Sequence, residues 1–460
     1  MRRFALQAML TAGFACSSGG SSPDQAATPP SADPGANAPP GGGGAGGGQQ
    51  DPGMDTPSSD PWNPPVETGS VAFPYTPYRC GYSIRQVSPS KPAAIFHQAG
   101  AATAVKNLHL TIEGNASSSV VVQWSTDDAT HATELRFGDS ATSLDKTAHG
   151  FSFGYGVTNR REHEIHLCGL APSHTYYYDA GSGTHSFTTA PDGATDVKLL
   201  VAGDSRSDPS VFGGYAAAAL AKGPTAMILT GDAVAVGSDQ SLWDELFSAA
   251  PDLFASVPAY WINGNHENLA EPYLAQLALP DHGGPTNLEE FYAATYGPLR
   301  IVALNDTTAA TTITGTEATF LQGTLMAVDR TKTPFVIATH HQPMYTTSSS
   351  HTPDTSIRSA WSPLFDQYHV NAVFAGHVHS YESTLPMKAG AIATDATGTR
   401  YFNFGGAGAP LYGFSGTKPS YLVGQESTHG YAILDVSPTQ MVWSAFRADG
   451  SAIETITIPK

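Results

Sequence analysis

Five apolar stretches in this chain each run straight into a turn that carries metal-ligand side chains. Val197 to Ala202 leads into Gly203-Asp204-Ser205-Arg206, Ala226 to Thr230 into Gly231-Asp232, and Val257 to Ile262 into Gly264-Asn265-His266-Glu267. Phe335 to Thr339 leads into His340-His341, and Asn371 to Ala375 into Gly376-His377-Val378-His379. A further histidine, His351, lies ten residues after His341. Short β-rich runs bounded by Gly and polar residues read as core strands. In an open α/β sheet, side chains at the C-terminal ends of strands converge on one crevice. Carboxylate, amide and imidazole groups far apart in sequence then meet at one place, and such a mixed set suits a pair of divalent metals.

A single Gly-Asp pair is a common turn. The ordered set Gly-Asp, Gly-Asp, Gly-Asn-His-Glu, His and Gly-His-x-His is far more specific, and it resembles the calcineurin-like metallophosphoesterases, in their purple acid phosphatase-like branch. The resemblance runs from about Leu110 to the C-terminus. It implies a four-layer αββα catalytic domain after an all-β sandwich, and two divalent or trivalent metal ions (Zn, Mn or Fe). It makes Asp232 the carboxylate that bridges both ions. Asp204 and His379 then complete metal one, while Asn265, His341 and His377 hold metal two. His377 and His379 alternate on the chain, so they serve two metals only if the backbone turns between them. His341 is assigned over His340 because His341-Gln342-Pro343-Met344-Tyr345 fits the family frame; His340 is the fallback ligand or a packing residue.

The same resemblance places His266 near the leaving-group oxygen, where a histidine of near-neutral pKa suits a general acid. Glu267 is expected to orient His266, or else to be an exposed loop carboxylate. His351 is assigned to phosphate contact, with a solvated loop histidine as the alternative. Two positions depart from the pattern. Where relatives often carry a metal-one histidine, two residues after the first aspartate, this chain has Arg206, whose guanidinium offers no lone pair. Where purple acid phosphatases carry an iron-ligating tyrosine, it has Ala235. An iron–tyrosinate centre is therefore not expected. Arg206 either forks onto substrate phosphate or pairs with Asp208 or another local carboxylate.

The N-terminus reads as an export signal: Met1-Arg2-Arg3, then an apolar run from Phe4 to Ala15, then Cys16. The apolar run is too short for a permanent membrane span. Cys16 in a lipobox-like setting predicts a bacterial lipoprotein, with plain secretion as the alternative. Residues 17–65 are rich in Gly, Pro and Ser and hold almost nothing to bury, which predicts a disordered tether. Cys80 and Cys168 remain, an even pair that suggests one disulfide in an exported chain, the alternative being two unpaired buried thiols.

After a lead-in over 66–106, residues 107–191 read as short strands around Trp124 and the Tyr176-Tyr177-Tyr178 run. This pattern resembles a fibronectin type III-like sandwich. The catalytic domain follows over 196–460. Lys plus Arg number 22 against 40 Asp plus Glu, a net charge of −18. That balance argues against nucleic acid as a bulk partner but not against a small phosphate ester, since metals supply local positive charge. The expected activity is hydrolysis of phosphate monoesters by metal-activated hydroxide. The alternatives are a phosphodiesterase or nucleotidase on the same site, or a non-catalytic surface lipoprotein with a degraded metal site.

Overall fold

The computed structural model describes residues 60–282 and 288–460. The signal-like segment, Cys16 and the linker up to residue 59 lie outside the described residues. No helix among the described residues is long and apolar enough to cross a membrane.

The catalytic half is built on two stacked sheets. Val197–Ala202 pairs in parallel with Ala226–Leu229, which pairs in parallel with Ala259–Trp261. Gly430–Val436, Gln440–Arg447 and Ala452–Pro459 extend the other edge antiparallel. The closing hairpin turns at Asp449-Gly450, where Gly450 takes φ 84° and so tolerates the left-handed turn that other residues resist. The second sheet runs in the order Tyr292–Tyr296, Leu299–Ala303, Phe335–Thr339, Ala372–Ala375, Arg400–Phe404, Tyr381–Thr384, Leu422–Glu426.

Alternation along these strands explains the four layers. Leu299, Ile301, Phe335 and Ile337 face the first sheet and join one core with Leu199, Val201, Phe402 and Trp443. Their neighbours Val302, Val336 and Ala338 face the other way, onto Leu321, Ile357, Trp361 and Phe365 of helices Ala318–Met326 and Thr355–Tyr368. On the far side of the first sheet, helices Pro209–Leu220 and Gln240–Ala249 bury Phe212, Tyr215, Trp243 and Phe247. Strands buried on both faces read as continuous apolar runs, and this is what made them visible in the sequence.

The N-terminal half is a sandwich. One layer holds Lys106–Thr111, Ser119–Thr126, Arg161–Cys168 and Phe151–Gly154; the other holds His185–Thr188, Thr175–Asp179, Glu134–Gly138 and Lys146–His149. Trp124, Phe137, Ile165, Tyr178 and Phe187 fill the space between. The lead-in adds Ala93–His97 to the sandwich edge, and Cys80 and Cys168 form a disulfide that ties it down. The halves are not separate in their sheets. Thr111 pairs in parallel with Ala259, so one twelve-stranded sheet runs through both.

Candidate metal centre

Parallel pairing brings the C-terminal ends of Val197–Ala202, Ala226–Leu229 and Ala259–Trp261 to one rim, and the ends of Phe335–Thr339 and Ala372–Ala375 meet them from the second sheet. Backbone hydrogen bonds stitch the turns together. Asp204 N–H donates to Gly231 O (2.9 Å), Arg206 N–H to Asp232 O (3.2 Å) and Gly376 N–H to His341 O (2.9 Å). Asp204, Asp232 and His377 all take left-handed backbone, at φ 60°, 53° and 64°. Such conformations cost energy in non-glycine residues and persist where the surroundings fix them, often at functional sites. The turn at His377 meets the condition for sending His377 and His379 to different places. Close approach also demands glycine: a Cβ on Gly264 would lie 2.3 Å from Asp232 Oδ1.

Asp232, His341 and His377 form a compact group whose ligand atoms lie within 4.8 Å of one another. His341 Nδ1 faces Thr230 O at 2.8 Å, so its proton sits there and Nε2 turns a lone pair inward. That lone pair faces Asp232 Oδ1 at 3.2 Å and Asn265 Oδ1 at 3.1 Å. Three acceptors pointing at one spot need a cation or an extra proton between them. The local field agrees. Burial opposes a proton on His341, yet Asp232, Asp204 and Asp306 outweigh it and push its pKa up to about 10. Burial also opposes ionisation of Asp232, but His341 and the His266 N–H hold its carboxyl below the usual range. His377, pushed down to about 3 by burial and by His341, keeps a free lone pair. These residues fit a metal cation.

The second group is arranged differently. His379 Nδ1 faces Pro410 O at 2.7 Å, which leaves Nε2 as an acceptor 3.5 Å from Asp204 Oδ1. Arg206 reaches into this space. Its Nη2 lies 3.2 Å from His379 Nε2 and its Nε 3.3 Å from Asp232 Oδ2. Asp208 does not take Arg206; its carboxylate caps helix Pro209–Leu220. Asp204 Oδ1 and Asp232 Oδ2 have no hydrogen-bond partner among the described residues. Asp204 Oδ2 accepts the His377 N–H at 2.8 Å, and burial raises the Asp204 pKa.

His340 turns away from the group, onto Asp306 at 2.9 Å and the ring of Trp361. His266 stands at the cleft. Its Nδ1 faces Ala235 O at 2.6 Å, leaving Nε2 3.8 Å from Asp232 Oδ2. Glu267 neither orients that ring nor lies exposed. It is buried, and its carboxylate accepts the N–H groups of Asp232 (2.8 Å), Gly264 (2.8 Å) and Val234 (3.2 Å). All three partners are backbone N–H groups, so Glu267 braces the turn that carries Asp232 rather than the His266 ring. Burial, with Asp232 adding, pushes it up to about 7. His351 does reach the cleft, its ring 4.2 Å from His377. Tyr412, absent from the sequence expectations, stacks on His379 at 4.1 Å and also contacts His351. An aromatic in a loop after a glycine-rich stretch carries no signal that separates such a role from packing.

Known proteins agree with this architecture. Residues 105–191 match the purple acid phosphatase N-terminal domain, and residues 198–381 match the calcineurin-like phosphoesterases. The chain is a purple acid phosphatase-like metallophosphoesterase. This phosphoesterase is 26% identical to a purple acid phosphatase of Glycine max over 393 residues, covering 76% of this chain and 84% of that one. It is 26% identical to a phosphoenolpyruvate phosphatase of Allium cepa over 369 residues, covering 72% and 76%. In fold it is similar to a purple acid phosphatase from yellow lupin seeds, with a TM-score of 0.68 at 17% identity, covering 77% of this chain and 74% of that one.

Proposed function

We propose that this phosphoesterase is exported and hydrolyses small phosphate monoesters with metal held at Asp232, Asn265, His341 and His377. The observation that carries this is the convergence of the His341 lone pair, Asp232 Oδ1 and Asn265 Oδ1 on one point. A divalent cation there supplies Lewis acidity to the phosphoryl group and acidifies a water. The residues around it do the rest. Asp232 is held ionised by its neighbours, and Glu267 fixes the backbone that aims it. His266 keeps its Nδ1–H on Ala235 O, so as the imidazolium it gives its Nε2 proton to the departing alkoxide and is left as the neutral ring. Arg206 and His351 flank the place where phosphoryl oxygens gather charge. The resemblance implies a second ion between Asp204, Asp232 and His379; the Arg206 guanidinium shares that space.

The names of the relatives favour a monoester over a diester. Turnover of p-nitrophenyl phosphate against its bis-ester, before and after chelation, tests the assignment. Faster chelator-sensitive hydrolysis of the monoester is expected; preference for the bis-ester would move the reading to a phosphodiesterase. Export is supported by the basic-then-apolar N-terminus and by the Cys80–Cys168 disulfide, a bond typical of oxidising compartments. Cys16 is the proposed site of lipidation and of a membrane tether. The Cys16→Ala protein is expected in the soluble fraction and the wild type in the membrane fraction; equal partitioning would leave plain secretion.

A further inference from the structure

We infer that Arg206 replaces one of the two metal ions, so that the centre works with a single ion beside a built-in guanidinium. This rests on the phosphoesterase reading above and specifies its centre. Asp232 divides its two oxygens: Oδ1 faces His341 Nε2 and accepts the His266 N–H, while Oδ2 faces Arg206 Nε at 3.3 Å. His379 has its Nδ1 on Pro410 O, and its remaining lone pair accepts from Arg206 Nη2 at 3.2 Å. Two of the three ligand atoms expected around metal one thus face a guanidinium.

The third, Asp204, splits its oxygens: Oδ2 accepts the His377 N–H and so holds the turn that aims His377, while Oδ1 lies 3.5 Å from His379 Nε2 with no hydrogen-bond partner among the described residues. Arg206 itself is pinned by its N–H on Asp232 O and buried to all but 15% of its side chain. A guanidinium cannot shed its proton. A divalent ion touching the same two atoms would therefore meet a fixed positive charge at close range. The residues that would strengthen such an ion are missing too, since position 206 carries no imidazole and position 235 no phenol. Among the described residues, Asp204 and His379 belong to no compact metal-binding group, whereas Asp232, His341 and His377 do. The consequence is a hybrid clamp, one ion on one side of Asp232 and the Arg206 guanidinium on the other, hydrogen-bonded to His379 and at ion-pair distance from Asp232.

The test is metal stoichiometry of the full chain. Wild type, Arg206→Ala and Arg206→His are loaded with excess Mn(II), desalted and analysed for metal per chain, with Mn(II) EPR alongside. One ion with an isolated six-line spectrum is expected for wild type. A second ion is expected in Arg206→His, with exchange-coupled signals, and weaker second binding in Arg206→Ala. Should Arg206→His not fold, Arg206→Ala and the wild-type spectrum carry the comparison. Two ions in wild type would overturn the inference while leaving a chelator-sensitive phosphoesterase intact. One ion in all three proteins would overturn it as well, because the guanidinium would not then be what excludes the second. No ion in wild type, with turnover indifferent to chelation, would overturn both this inference and the metal-dependent reading.

Discussion

Asp232 is where most of the account meets. Its backbone is left-handed, its N–H is held by Glu267, and its two oxygens face different partners. Asp232→Asn removes the charge that both sides use, and turnover is expected to fall by at least about a thousandfold with metal binding lost. Unchanged metal content in that variant would show that Asp232 is not a ligand. Gly264→Ala drives a methyl into Asp232 Oδ1 and N at 2.3 and 2.4 Å, both of them buried. It is expected to cost about 1–3 kcal/mol in urea unfolding and to weaken metal binding. His266→Gln separates proton delivery from positioning. The expected loss is about 10²–10⁴-fold on an alkyl phosphate, whose alkoxide needs a proton, and much less on p-nitrophenyl phosphate. Equal losses on both would remove His266 from the role of acid. At this scale the sequence was informative where residue type dictates chemistry, as for Asp232, His341 and His377. It was not informative for Glu267, whose partners are backbone N–H groups, nor for Tyr412, whose ring meets His379 only through the fold.

Among the elements, strands with apolar residues on both faces declared themselves, and Val197–Ala202 and Phe335–Thr339 run over the residues the pattern predicts. Arg161–Cys168 did not. Its sequence Arg-Glu-His-Glu-Ile-His-Leu-Cys looks like a surface, yet every residue is buried. The polar side chains find partners: Glu162 accepts from the Ser125 hydroxyl on the neighbouring strand, and His166 meets Glu164 two residues back on its own strand. His163 stacks on Trp124 at 5.1 Å and sits between the hydroxyls of Thr126 and Thr133. Burial, with Arg161 nearby, pushes its pKa down to about 3. The folded chain therefore keeps His163 neutral while the unfolded chain takes a proton from about pH 6.5 downward. The unfolded state binds more protons in that window, so stability falls as pH drops from about 6.5 toward 3, by about 2 kcal/mol at about pH 5. His163→Gln is expected to flatten this slope in urea unfolding measured at several pH values. Parallel curves for the two proteins would mean that the imidazole is protonated in the fold.

For the whole molecule, the sequence pattern changes near residue 191, but the sheet that runs through both halves was not legible. The Thr111–Ala259 pairing depends on how two strands far apart in sequence meet, and no local periodicity encodes that. The join is reinforced by Asn107 Nδ2 on Asp244 (2.7 Å), Tyr178 OH on Ala255 O (2.7 Å) and the Ala278 N–H on Gln123 (2.9 Å). A continuous sheet with buried cross-domain bonds predicts one cooperative unfolding transition. Two resolved transitions in calorimetry would show that the halves are energetically separate. The Cys80–Cys168 disulfide closes a loop of 88 residues, and its removal by Cys80→Ser is expected to cost about 4 kcal/mol.

The most direct test of the central claim is turnover of p-nitrophenyl phosphate by the purified chain, before chelation, after chelation and after return of Zn, Mn or Fe. Hydrolysis that disappears on chelation and returns with the metal is the predicted result. Hydrolysis that continues unchanged after complete removal of metal would contradict the account, because no arrangement of Asp232, His341 and His377 explains it without a cation between them.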